Sequence, residues 1–164
     1  MNVSQAKVCL PAELIRRASV LPRPLVFTNG VFDLLHCGHA DGLERARALG
    51  ASLIVAVNDD ASVRRLRKGN GRPFNACADR MRLLAALAST DLITCFDDDD
   101  ASSVLLRVRP DIYVKGGDYD IEASPEGRVA RSLGARRIAL PFVHYTSSTA
   151  LIARIRAAGA DAKG

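Results

Sequence analysis

The residues from Thr28 to Asn29, Gly30, Val31, Phe32, Asp33, Leu34, Leu35, His36, Cys37, Gly38 and His39 set two histidines three positions apart around a glycine. At the start of a helix that spacing puts both imidazoles on one face, where each can donate a hydrogen bond to a phosphoryl group gaining negative charge. Gly38 removes a Cβ and lets a phosphate approach the backbone closely. A second segment, Val114-Lys115-Gly116-Gly117-Asp118-Tyr119, places a mobile cation beside a glycine pair whose backbone can wrap a polyanion. A third, Thr146-Ser147-Ser148-Thr149, brings hydroxyls and free amides to a helix start, another anion site.

Other readings of the same residues stay open. Asp33, His36 and His39 could ligate a metal, although His144 is the only further histidine and no cysteine pair lies near. The histidines could instead cap a helix and satisfy buried polar groups, and Ser147 to Thr149 could be a cap alone. The basic run Arg64 to Arg72, punctuated by glycine and containing Lys68, reads as solvated surface or as a clamp for a phosphate or sugar. Asp97 to Asp100 is most simply a loop entering a helix N-terminus.

The elements that must position these residues alternate in type. Apolar runs at Leu25–Thr28, Ser52–Val57, Asp91–Phe96, Asp111–Val114 and Arg137–Leu140 lack polar alternation, as strands covered on both faces do. Between them, His39–Leu49 has helical apolar spacing and stops at Gly50, a C-terminal cap. Asn75 is placed to cap Ala76–Ala88. Ser124-Pro125 opens a helix that Gly134 ends, Ser147 or Ser148 opens a last one through Ile155, and Asp100–Val108 is a weaker candidate. The expectation is a three-layer, Rossmann-like α/β fold: an open parallel sheet of about five strands with helices on both faces. In such sheets ligands sit beyond the carboxyl ends of the strands, facing helix N-termini. Residues 1–22 form an N-terminal extension, expected as one helix from Pro11, on a single domain of residues 23–164.

The 164 residues suffice for one domain with a proper core. No apolar run approaches a membrane span, the N-terminus shows no secretory signal, and the four cysteines are scattered. Reduced thiols in the cytoplasm are the expectation. The net charge of +5 with 5% aromatics suits small anionic ligands better than nucleic acid, which needs stacking platforms.

His36-Cys37-Gly38-His39, preceded by a strand and Phe32-Asp33, resembles the signature of the cytidylyltransferase-like nucleotidyltransferases. The Ser147-Ser148-Thr149 stretch resembles the Ser-Thr-Thr motif with which they hold the outer phosphates. From Leu25 to Ile155 the chain is similar to bacterial heptose-1-phosphate adenylyltransferases, on Phe27 to Gly30, Val57-Asn58-x-Asp60-x-Ser62-Val63, Gly71-Arg72-Pro73-x-Asn75, Val114 to Tyr119 and Ser147 to Ile152. Tyr145 stands where those enzymes usually have glycine, and Ser148 where they have threonine. Related cytidylyltransferases often carry an arginine shortly before Ser-Thr-Thr, and Pro141 to Tyr145 supplies none.

The resemblance implies transfer of AMP from ATP, carried with Mg2+, to a heptose 1-phosphate, releasing pyrophosphate, in a cytoplasmic homodimer with no membrane or nucleic-acid partner. His36, His39 and Lys115 would be catalytic. Thr28, Asn29, Gly30, Phe32, Gly38, Gly116, Asp118, Ser147, Ser148 and Thr149 would bind the nucleotide, and Asp33, Asn58, Asp60, Lys68 and Arg72 the acceptor or motif. No side chain is assigned to a metal. A CTP-dependent polyol-phosphate cytidylyltransferase is the enzymatic rival, and a non-catalytic nucleotide or nucleic-acid binder the rival of another class.

Overall fold

Two unbroken apolar runs build the middle of the sheet. β1 (Leu25–Gly30) and β2 (Ser52–Asn58) are buried along almost their whole length, and side chains pointing either way meet protein rather than water. In the computed structural model, which describes residues 3–66, 71–117, 120–141, 143 and 147–161, they are joined by β3 (Leu92–Phe96), β4 (Ile112–Gly116) and β5 (Arg136–Leu140). All pairings are parallel, in the order β3-β2-β1-β4-β5. The expected fold class is what the chain adopts.

Alternation along the strands sends Leu25 and Phe27 into one core and Val26 into the other. On the first face lie α2 (Leu14–Ala18), α6 (Ser102–Val108) and α7 (Pro125–Ser132), contributing Leu14, Leu105 and Ala130. On the second lie α3 (Cys37–Arg47) and α5 (Cys77–Ala85), contributing Leu43, Ala46, Met81 and Leu84. The chain winds outward from β1 in both directions, so the crevice of the open sheet falls at the carboxyl ends of β1 and β4.

Several local expectations are corrected. The N-terminal segment is helical from Pro11, but it opens as a 3-10 turn and a further short helix precedes it. It is α1 (Val3–Lys7), a 3-10 turn (Pro11–Glu13) and α2, held by Arg17 donating to the Val8 and Ala6 carbonyls and by Cys9 N–H donating to Ile93 O. The first two residues of the basic run, Arg64 and Arg65, end a short helix, α4 (Asp60–Arg65), whose cap is Asp59 accepting from Ser62 N–H at 2.7 Å. Asn75 does not cap α5: Ala76 holds that position, while Asn75 Nδ2 donates to Asp33 O at 2.6 Å. Gly50 is not a left-handed cap either. A Cβ there would lie 2.4 Å from Pro24 O and 2.7 Å from Val26 Cγ2, so close approach to β1 demands the glycine. The last helix, α8 (Ser148–Asp161), runs past Ile155. Ser124 caps α7 as expected, accepting from Gly127 N–H, and Gly134 follows it at φ 74°.

Candidate nucleotide site

The turn after β1 is built under tension. Phe32 takes φ 51°, a left-handed conformation costly for a residue with a Cβ. That turn sends the Phe32 ring against His39, centroids 5.2 Å apart, and leads into His36, the extended N-terminal flank of α3. The two imidazoles stack with centroids 3.8 Å apart and planes 25° from parallel. Burial depresses the His36 pKa, and burial with the nearby His36 brings His39 from 6.5 down to about 4. Both rings are therefore neutral near pH 7. Nδ1 of each is buried without a hydrogen-bond partner among the described residues.

A cavity of about 270 Å³ opens beside them at the β1–β4 crevice. Thr28, Asn29, Gly30, Phe32, Gly38, His39, Lys115 and Gly116, all named from sequence, line it. Lys115 leaves the end of β4, where Gly117 at φ 99° turns the chain and donates its N–H to Leu140 O at 2.7 Å. Its Nζ lies 3.3 Å from Asn29 Oδ1 and 3.7 Å from the buried Glu126 carboxylate. Asn29 also donates to Glu126 Oε1 at 3.2 Å and accepts from Tyr113 OH at 3.1 Å. Its amide is committed inside the protein, although the residue borders the cavity.

The start of α8 packs against the turn that leads into His36. Ser148 donates to the Leu34 carbonyl, in the turn before His36, and Arg72 lies 3.4 Å from Thr149 Oγ1. Ser147 accepts from Ala150 N–H and is itself exposed. Lys68 and Asp118 lie outside the described residues, as do Tyr145 and Thr146.

Asp33, Asn58 and Asp60 are drawn elsewhere. Arg80, fully buried, donates to the carbonyls of Val31, Asn58 and Asn75 and to Asp60 Oδ1, at 2.7 to 3.0 Å. Asn58 Nδ2 donates to Ser62 Oγ. Asp33 Oδ1 accepts from the N–H groups of Phe74 and Asn75, and its buried Oδ2 has no partner among the described residues. One oxygen of Asp33 thus shapes the loop before α5. No group of three or more His, Cys, Asp or Glu side chains converges as a metal site among the described residues.

Residues 27–153, from the β1 strand into α8, match the cytidylyltransferase-like family. The chain belongs to that family. It is 50% identical over 154 residues to the D-beta-D-heptose 1-phosphate adenylyltransferase of Bordetella bronchiseptica, covering 93% of this chain and 95% of that protein. It is 46% identical over 144 residues to the bifunctional protein HldE of Streptomyces coelicolor, covering 88% of this chain but 31% of that one. Among solved structures it is similar to the lipopolysaccharide core biosynthesis protein from Thermoplasma volcanium, with TM-score 0.62 and 28% identity over 74% of this chain and 98% of that chain. Pantothenate synthetase from Thermus thermophilus, with TM-score 0.57 and 19% identity over 84% of this chain and 62% of that one, shares the fold.

Sequence reasoning missed Arg80 and Glu126. Arg80 sits one position before Met81 and four before Leu84 on the buried side of α5, a charge at an apolar register position that could have flagged it. Glu126 looked like an ordinary acid in a helix's first turn, and nothing local shows that it reaches β1 and β4. No helix is long and apolar enough to cross a membrane among the described residues.

Proposed function

We propose that the chain transfers AMP from ATP to a heptose 1-phosphate, yielding ADP-heptose and pyrophosphate. A phosphate oxygen of the sugar 1-phosphate attacks the α-phosphorus in line. The new P–O bond forms as the bond from that phosphorus to the bridging oxygen of pyrophosphate breaks. The attacking phosphate is already ionised, so no protein nucleophile is needed and catalysis is positioning plus charge stabilisation.

Neutral His36 and His39 donate to the α-phosphate and the leaving group as charge develops. Lys115 and Arg72 neutralise the remaining oxygens, and the hydroxyls and amides of Ser147 to Thr149 hold the outer phosphates. Asp33, through the loop it holds before α5, belongs to the same reading as a group that orients the motif. Lys68 and Asp118 belong to the same reading. Mg2+ would come with the triphosphate, held mainly by its phosphate oxygens, and would supply charge neutralisation there.

The observation that carries the substrate is the end-to-end match at 50% identity with the Bordetella enzyme. The stacked histidines beside a lysine-lined cavity support the reaction type. A cytoplasmic homodimer feeding surface-polysaccharide precursors is part of the same reading, and sedimentation velocity checks the dimer. The deciding assay is pyrophosphate release with ATP or CTP against heptose 1-phosphate and glycerol 3-phosphate. ATP with heptose 1-phosphate should win, and a clear preference for CTP would overturn the proposal.

A further inference from the structure

We propose that Glu126 is the positioning residue for Lys115, fixing its ammonium at the cavity rim directly and through Asn29; this rests on the reading of the site as a nucleotidyl-transfer centre. The Glu126 side chain is only 6% exposed, yet no arginine or lysine of its own helix turns back to it: its described partners come from the sheet. Its carboxylate accepts from Asn29 Nδ2 at 3.2 Å, which orients that amide so that Oδ1 faces the other way. Oδ1 in turn accepts from Lys115 Nζ at 3.3 Å and Tyr113 OH at 3.1 Å. The same carboxylate lies 3.7 Å from Lys115 Nζ. A lysine on a flexible stem has several rotatable bonds. An acceptor from β1 and a carboxylate charge from the first turn of α7 restrict it before any ligand arrives.

A purely structural role is the competing account, since an acid in the first turn of α7 also stabilises the helix. A double-mutant cycle on the full chain separates the two. Glu126→Gln keeps an acceptor for Asn29 and removes the charge facing Lys115. Lys115→Met removes the group being positioned. Steady-state kcat/KM for nucleotide-sugar formation, with thermal melts on every variant, should show a loss of about 10-fold for Glu126→Gln and about 100-fold for Lys115→Met. The double variant should be within about 3-fold of Lys115→Met alone. Glu126→Asp, which keeps the charge at shorter reach, should recover part of the Gln variant's loss, and it carries the test if Gln fails to fold. Losses that multiply in the double variant, or an Asp variant as impaired as Gln while equally folded, overturn the positioning role. A wild-type chain making no nucleotide sugar overturns the reading of the site, and the Lys115–Glu126 proposal falls with it.

Discussion

Two polar clusters lie at the same edge of the sheet and behave in opposite ways. Under β2 and α5, Arg80 is fully buried and donates inward, to three backbone carbonyls and Asp60. Under β4 and α7, Lys115 lines the cavity while leaning on Asn29 and Glu126. Both clusters centre on a cation restrained by a carboxylate. The first ties the ends of β1 and β2 to the start of α4 and the loop before α5. The second presents its cation to the space a ligand would fill. Proximity to a motif therefore does not decide a residue's role; where its donors point does.

The sharpest way to break this contrast is Arg80→Met. It strands Asp60 and three carbonyls, and breaking a buried pair from one side costs about 3–5 kcal/mol. Urea unfolding should show that loss, and a variant as stable as wild type would dissolve the distinction. His39→Ala should lower kcat by about 10²–10³ while the unfolding midpoint barely moves, the reverse signature. Lys115→Met should cost about 10² in kcat and less than about 2 kcal/mol in stability, since Glu126 keeps the Asn29 hydrogen bond.

The smallest effect comes from pH. The folded His39 pKa, about 4, lies below its ordinary 6.5, so folding favours the neutral ring. That contribution is complete above about pH 6.5 and fades as pH falls toward 4, because the unfolded chain takes up the proton first. Between pH 7 and 4.5, wild type should therefore lose more unfolding free energy than His39→Gln, by roughly 1–2 kcal/mol. Parallel pH curves would mean that His39 is not buried in its neutral form.

The same contrast explains what the sequence made legible. Strands buried on both faces are continuous apolar runs, so β1 and β2 stood out without any knowledge of their partners. The histidine turn, the Lys115 loop and the serine–threonine start of α8 are local patterns in which residue type already carries the chemistry. What stayed hidden depends on contacts across the fold. Asn75 looks like a cap until Asp33, 42 residues away, claims it. The six residues of α4 are too few to show a helical period. Gly50 is set by the backbone of Pro24 rather than by its own turn. Asn29, Asn58 and Asp60 are of the right type to meet a substrate, but Glu126 and Arg80, far along the chain, have taken up Asn29 and Asp60, and Ser62 has taken up the Asn58 amide.

The most direct measurement is a crystal structure of the chain with a non-hydrolysable ATP analogue and magnesium. The account predicts phosphates in the β1–β4 crevice, within hydrogen-bonding reach of His36, His39, Lys115 and Ser147, with the Arg80 cluster unchanged. Phosphates bound elsewhere, or those four side chains pointing into unconnected spaces, would contradict it.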